Sequence, residues 1–203
     1  MKAILGVKKE MTQIFSEDGK VLPCTIVDIS DNIVVGYKTK ETDGYTAMIL
    51  GKGKKVKNIN KPDVNKYKDL PFVPKTVSEV RSDEVSAEKG TILDTDVFSI
   101  GDKVTIMGTS KGKGFQGVMK LHGMRGGPKT HGQSTKPRSV GSIGPGQTYA
   151  HVMKGRNMAR KMGNDQITIK NLKIVSVDKE NNLLMIKGAV PGTRGSKLVI
   201  YQN

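Results

Sequence analysis

Twelve lysines and arginines fall between Lys103 and Asn164 with no aspartate or glutamate among them, Asp102 and Asp165 being the nearest acids on either side. Cations at that density with no compensating acid need an anionic partner, and the chemistry open to them is phosphate neutralisation with release of counterions. The same stretch holds thirteen of the 24 glycines, with Pro128, Pro137 and Pro145 between them. Glycine lets a backbone approach another surface closely, so these residue types describe a projection shaped to lie against a phosphate backbone. Few large apolar side chains occur from His122 to Asn157, which leaves this limb little material for a core of its own. The side chains suited to meet phosphates are Lys111, Lys113, Arg125, Lys129, Lys136, Arg138, Lys154, Arg156, Arg160 and Lys161.

Other chemistry has to be weighed against this. Gly112-Lys113-Gly114-Phe115-Gln116-Gly117 has the G-x-G-x-x-G spacing of a dinucleotide-binding turn. That turn works with an acid about 20 residues on, which holds the ribose hydroxyls, and none occurs before Asp165. No Gly-Lys pair is followed by Ser or Thr, so a P-loop is excluded as well. What remains is a glycine-rich turn opening a short helix over Phe115 to Leu121, whose exposed amides, with Lys111 and Lys113, can meet phosphates. His122, His131 and His151 are scattered among glycines without a Cys or acid nearby, so they assemble neither a metal site nor a catalytic triad. Lys154, Arg156, Arg160 and Lys161 fit a solvated helix face with Met158 and Met162 turned inward, or a phosphate contact; the lack of any acid favours the contact. Cys24 is the single cysteine, in an apolar run, and reads as a small buried hydrophobe. No enzyme activity, cofactor or metal is expected.

The limb needs a body to carry it. A chain of 203 residues with 35% hydrophobic content can fold one domain with a small insert, and its net charge of +15 favours an anionic partner. Aromatics are 4% and Trp is absent, so base stacking on rows of rings is disfavoured relative to phosphate and groove contact. A membrane-surface helix needs an apolar face beside its basic one, and the limb is too rich in Gly and Pro to form it. The apolar run Ala3 to Val7 is too short for a signal segment and no stretch has transmembrane length, so the expected location is the cytoplasm.

Short apolar runs broken by turn residues predict strands at Ala3 to Val7, Thr12 to Phe15, Val21 to Ile29, Ile33 to Tyr37 and Thr46 to Leu50. Turns are expected at Glu17-Asp18-Gly19, Ser30-Asp31-Asn32 and Asp43-Gly44. Gly51 to Lys61 is lysine-rich and reads as a solvated loop, after which Pro62, Val64, Tyr67 and Leu70 space out one short helix ended by Pro71. Further strands are expected at Thr76 to Arg81, Phe98 to Met107, Ile167 to Val177, Leu183 to Lys187 and Leu198 to Tyr201, with Asp83, Glu84 and Glu88 marking an exposed connection. The predicted fold is mainly β: a small closed barrel with a small α+β insert and a long extended loop. Residues 1–57, 99–121 and 158–203 are assigned to the barrel body, 58–98 to the insert, and 122–157 to the basic, glycine-rich loop.

Longer motifs add a family. Gly108-Thr109-Ser110-Lys111-Gly112-Lys113-Gly114-Phe115, Thr130-His131-Gly132, Gly141-Ser142-Ile143-Gly144, Lys154-Gly155 with Met158-Ala159, and Gly188-Ala189-Val190-Pro191-Gly192 are the first set. With Met11-Thr12-Gln13-Ile14-Phe15, they make the whole chain resemble the L-three family of large-subunit ribosomal proteins in its bacterial form. The resemblance implies a translation-protein type β-barrel and a loop that penetrates ribosomal RNA toward the peptidyl-transferase centre. It implies ribosomal RNA and neighbouring large-subunit proteins as partners, a part in early subunit assembly, and a glutamine methyltransferase acting on Gln147. The chain departs from the family pattern at Glu10, at Lys136-Pro137-Arg138 and at Tyr149-Ala150.

Overall fold

A computed structural model describes residues 2–81 and 88–202. The chain runs β1 (Lys2–Phe15), β2 (Val21–Asp28), β3 (Asn32–Lys38), α1 (Lys40–Asp43), β4 (Ala47–Lys54), α2 (Lys61–Lys66), β5 (Pro74–Arg81) and β6 (Ile92–Leu93). It continues through β7 (Lys103–Thr109), β8 (Phe115–Gln116), α3 (Val118–His122), β9 (Arg160–Lys161), β10 (Gln166–Asp178), β11 (Leu183–Lys187) and β12 (Lys197–Gln202). Two compact units result, residues 1–110 with 166–203, and residues 111–165.

The first unit is built on a closed barrel in the order β1-β12-β7-β10-β11-β2, every pairing antiparallel. Its strands are rich in β-branched residues, and their inward positions fill one core of Ile4, Val27, Ile106, Ile174, Leu184, Ile186, Leu198 and Ile200. The two runs expected near the start form one strand, since β1 continues across an irregularity between Lys8 and Met11. It then turns through Ser16 to Lys20, where the Gly19 amide meets the Ser16 carbonyl at 2.8 Å. Gly6 is required by packing: a Cβ there would sit 2.4 Å from Val27 Cγ1.

The start of β1 is apolar without alternation because both its faces are covered. Ile4 points into the barrel, while Ala3 and Leu5 join Val34, Met48, Leu50 and Val80 of a second sheet, ordered β5-β4-β3-β6. β3 and β4 therefore stand outside the barrel to which residues 1–57 were assigned. Their apolar faces look alike in sequence whichever sheet they join, and the choice is made by pairing of β4 with β5. Two groups bind this sheet to the barrel strands. Asn32, fully buried, accepts from the Leu5 amide at 3.1 Å and donates to the carbonyls of Leu5 and Ile29 at 2.9 and 2.5 Å. Lys52, also buried, donates to the Ser30 carbonyl at 2.6 Å and pairs with Asp28 at 3.5 Å, where Lys9 also pairs at 3.2 Å.

Burial alone would raise the Asp28 carboxyl, but the Ser30 hydroxyl and amide and the Lys52 and Lys9 ammonium groups outweigh it and hold it at about 2, against an ordinary 3.8. A depressed folded-state pKa gives stability that is present above the ordinary value and lost as pH falls toward the depressed one. The urea midpoint is thus expected to drop between about pH 4 and about pH 2. Asp28→Asn should lower the midpoint at pH 7 and flatten that acid limb, and an unchanged acid limb would show that the cluster is not the cause.

Other elements shift locally from their expected places. Gly51 to Lys54 extend β4, with Gly51 and Lys52 buried, and only the residues after them leave the sheet. α2 carries Pro62 in its first turn but ends at Lys66, so Tyr67 and Leu70 are buried from the turn that follows it while Val64 stays exposed. Lys40 to Asp43 form a helical turn closed by Gly44 at φ 79°, where a simple turn was expected. The seventh strand starts at Lys103; Phe98 precedes it, buried in the barrel core after a 3-10 turn over Thr95 to Val97. Asp83 and Glu84 lie outside the described residues, and Glu88 is exposed.

Candidate nucleic-acid interface

The second unit, residues 111–165, carries eleven lysines and arginines against one acid, Asp165. Its base is a ribbon in which β8 pairs antiparallel with β9, Phe115 opposite Lys161 and Gln116 opposite Arg160. Two further bonds extend it, from the Lys113 amide to the Met162 carbonyl and from the Met162 amide to the Gly114 carbonyl, both at 2.9 Å. Gly163 makes the ribbon possible, because its φ is +73° and a Cβ would lie 2.1 Å from the Lys111 carbonyl oxygen.

The expected helix over Phe115 to Leu121 is displaced. Phe115 and Gln116 are strand, Gly117 is the helix cap, and α3 spans Val118–His122 before Gly123 ends it in the left-handed region. The cause is the ribbon, which takes the first residues of the run into pairing with β9. One consequence corrects the phosphate reading of the glycine turn: the Lys113 amide is committed to Met162, so that residue offers phosphate its side chain and not its backbone.

Beyond α3 the chain is held by turns. The Gly127 amide meets the Pro137 carbonyl at 2.9 Å, and the amides of Lys136 and Ser139 close onto the carbonyls of Gln133 and Lys136. This closed set carries Lys129, Lys136 and Arg138. The Arg156 guanidinium donates to the Ser142 carbonyl, and His122 Nε2 lies 3.3 Å from the Met158 carbonyl. Gln147 sits exposed in a 3-10 turn, Gly146–Thr148, and the Tyr149 and His151 rings meet edge to face at 6.5 Å.

All ten cations singled out from the sequence are exposed, and none makes an ion pair among the described residues. The ribbon gathers Lys113, Arg160 and Lys161, whereas Lys129, Lys136 and Arg138 belong to the turns and are separate from it in the hydrogen-bond pattern. Lys120 was missed. It is exposed on α3 and lies in the same acid-free stretch, which was the signal available. The three buried apolar clusters take no residue from this unit; Val118 alone among its large apolar side chains is buried.

The family model described as "Ribosomal protein L3" matches residues 73–183. "Large ribosomal subunit protein uL3" of Alkaliphilus metalliredigens (strain QYMF) is 47% identical over 203 residues, covering 98% of this chain and 96% of the relative. The proteins of the same description from Acholeplasma laidlawii (strain PG-8A) and Bacillus thuringiensis (strain Al Hakam) are 45% and 44% identical, each match covering 98% of this chain and 95% of the relative. The class is thereby defined as a structural protein of the large ribosomal subunit, acting in translation. Within that class, the chain belongs to the ribosomal protein L3 family. No helix among the described residues is long and apolar enough to cross a membrane.

Proposed function

We propose that the chain binds large-subunit ribosomal RNA, helps to nucleate subunit assembly, and sends residues 122–157 through the RNA toward the peptidyl-transferase centre. The observation that carries this reading is the exposure of Lys111, Lys113, Arg125, Lys129, Lys136, Arg138, Lys154, Arg156, Arg160 and Lys161 in a stretch whose one acid is Asp165 at its end. Its partners are the RNA and neighbouring subunit proteins, in the cytoplasm. Two measurements test the reading. After a high-salt wash the protein should sediment almost wholly with large subunits, whereas a soluble pool would mark a free-standing translation factor. Binding to the RNA should also weaken with salt, with a log-log slope of about −4 to −5 if about six phosphates are neutralised. A slope near zero would mean that the cations serve only a solvated surface.

Gln147 is proposed as the site of side-chain amide methylation by a partner methyltransferase. Its exposure in a short turn beside Pro145 and Gly146 supplies the accessible segment that a modifying enzyme needs. Methylation removes one amide N–H and keeps the carbonyl acceptor and the charge, so it adjusts fit without altering electrostatics. Peptide mass analysis of protein from native ribosomes is expected to show one added methyl group there, and an unmodified peptide rules it out. Gln147→Ala should slow assembly modestly and leave the melting temperature unchanged.

A further inference from the structure

The basic unit does not account for all of the charge excess. Residues 51–75 hold eight lysines and only two acids, Asp63 and Asp69, and together with residues 111–165 they carry +16, which leaves the rest of the chain close to neutral. The sequence pattern reads Gly51 to Lys61 as a solvated loop and the residues from Pro62 to Leu70 as a short helix. The structure makes the run a closed excursion between β4 and β5: Lys54 stands opposite Pro74 in the ladder, and the Lys55 amide bonds the Val73 carbonyl at 2.9 Å. Tyr67 and Leu70 pin it from inside by packing on Ile33, with Val35, Phe72 and Val73 around them. Its cations are therefore presented by an ordered support, which lowers the side-chain and backbone entropy to be lost on binding.

Both acids in the excursion are already neutralised. Lys55 pairs with Asp63 at 3.1 Å and Lys89 with Asp69 at 3.1 Å. Lys52, Lys54 and Lys55 are the paired lysines, and Lys75, exposed and unpaired, belongs to β5; the excursion itself keeps Lys57, Lys61, Lys66 and Lys68, all exposed and without an ion pair among the described residues, beside Val56, which is 82% exposed. Elsewhere in the same unit some exposed cations are matched, as Lys9 is by Asp28, Lys179 by Asp96 and Arg194 by Glu10, while others such as Lys170, Lys173 and Lys187 are spread singly along strands and do not cluster.

We propose that the excursion between β4 and β5 is a second RNA-binding face, on which Lys57, Lys61, Lys66 and Lys68 neutralise backbone phosphates independently of residues 111–165. The proposal rests on the ribosomal RNA reading above. Phosphate is the ligand because four point charges, with both acids of the excursion paired and its Tyr67 ring buried, give backbone affinity without base readout. Of the two macromolecules that offer dense negative charge, RNA and an acidic protein, the charge already directed at RNA by the other unit favours RNA.

The test uses the full chain in two sets of substitutions to glutamine, one at Lys57, Lys61, Lys66 and Lys68, the other at Lys154, Arg156, Arg160 and Lys161. Each protein is titrated with large-subunit RNA across a salt series, and its melting temperature confirms folding. The first set is expected to flatten the log-log salt slope by about 3, at about 0.7 to 0.9 for each of the four phosphates released. An unchanged slope in that set, with a flattened slope in the other, overturns the second face and leaves the ribosomal RNA reading intact. Slopes unchanged in both sets overturn both. Lysine acylation of intact subunits gives the second readout: the four lysines should be protected and should crosslink to RNA, and protection with crosslinks only to a protein overturns the proposal.

Discussion

Excision of residues 122–157, with the ends joined by a short Gly-Ser linker, is expected to leave the barrel folded while abolishing efficient assembly of large subunits. The register explains the first half. β7 and β10 are neighbours in the barrel, with Thr109 opposite Gln166 and Gly108 opposite Ile167, so the chain leaves and re-enters on adjoining rungs of one ladder. The cut also falls beyond the ribbon of β8 and β9, whose own pairing brings Gln116 opposite Arg160. No member of the barrel core comes from the excised stretch. Shortening a loop changes its closure entropy by only about 0.6 kcal/mol per twofold change in length, so the melting temperature should hold within a few degrees. The second half follows from charge, because Arg125, Lys129, Lys136, Arg138, Lys154 and Arg156 leave with the segment. A deletion protein that melts many degrees lower, or subunits that form at the normal rate, would refute the division of labour proposed between the two units.

Asn32→Ala is expected to be the most damaging single substitution in the body. The amide of Asn32 serves three backbone groups, the Leu5 N–H and the carbonyls of Leu5 and Ile29, at a position with no solvent exposure. Each buried group left without its partner costs about 1 to 3 kcal/mol, which puts the loss at about 3 to 5 kcal/mol. For a domain of this size that is a fall of roughly 10 °C in melting temperature. Asn32→Asp keeps the size and one acceptor but forfeits both donations and buries a charge, so it should be at least as unstable at pH 7 and recover in acid as the carboxyl protonates. A loss below about 1 kcal/mol for Asn32→Ala, read from urea unfolding, would contradict the role given to this side chain.

These two positions mark where the amino-acid sequence is readable and where it is not. The barrel strands are legible because alternation and β-branching are local: Leu183 to Lys187 form β11 as the pattern requires, and β12 contains the expected run Leu198 to Tyr201. The acid-free stretch is equally plain, since charge needs no structure to be counted. Partner choice is not local. Asn32 belongs to the turn triplet Ser30-Asp31-Asn32, and its side chain becomes a strut only because β1 passes beside it. Likewise Phe115 and Gln116 have the look of a helix start until Arg160 and Lys161, far along the chain, claim them as a strand. Lys52 sits in a lysine-rich run, yet it alone of that run's lysines is buried, because Asp28 and the Ser30 carbonyl lie on the strand and turn it faces.

The adjoining exits at Thr109 and Gln166 also have a mechanical meaning. Any tension drawn along residues 111–165 enters the barrel on both strands at once and in the same direction, so the ladder of β7 and β10 is loaded as a zipper, rung by rung from Thr109 and Gln166 inward. Such loading is the weak geometry for a lone hairpin, since one pair of bonds carries the force at a time. Here the β7 leaf is stitched on its outer side, to β12 from Gly108 through Thr105, whereas β10 is held by β11 only farther in, from Ile174 through Asp178. Peeling β7 must therefore strip two ladders together, which suits the barrel to anchor residues 111–165 when they are held by RNA as proposed.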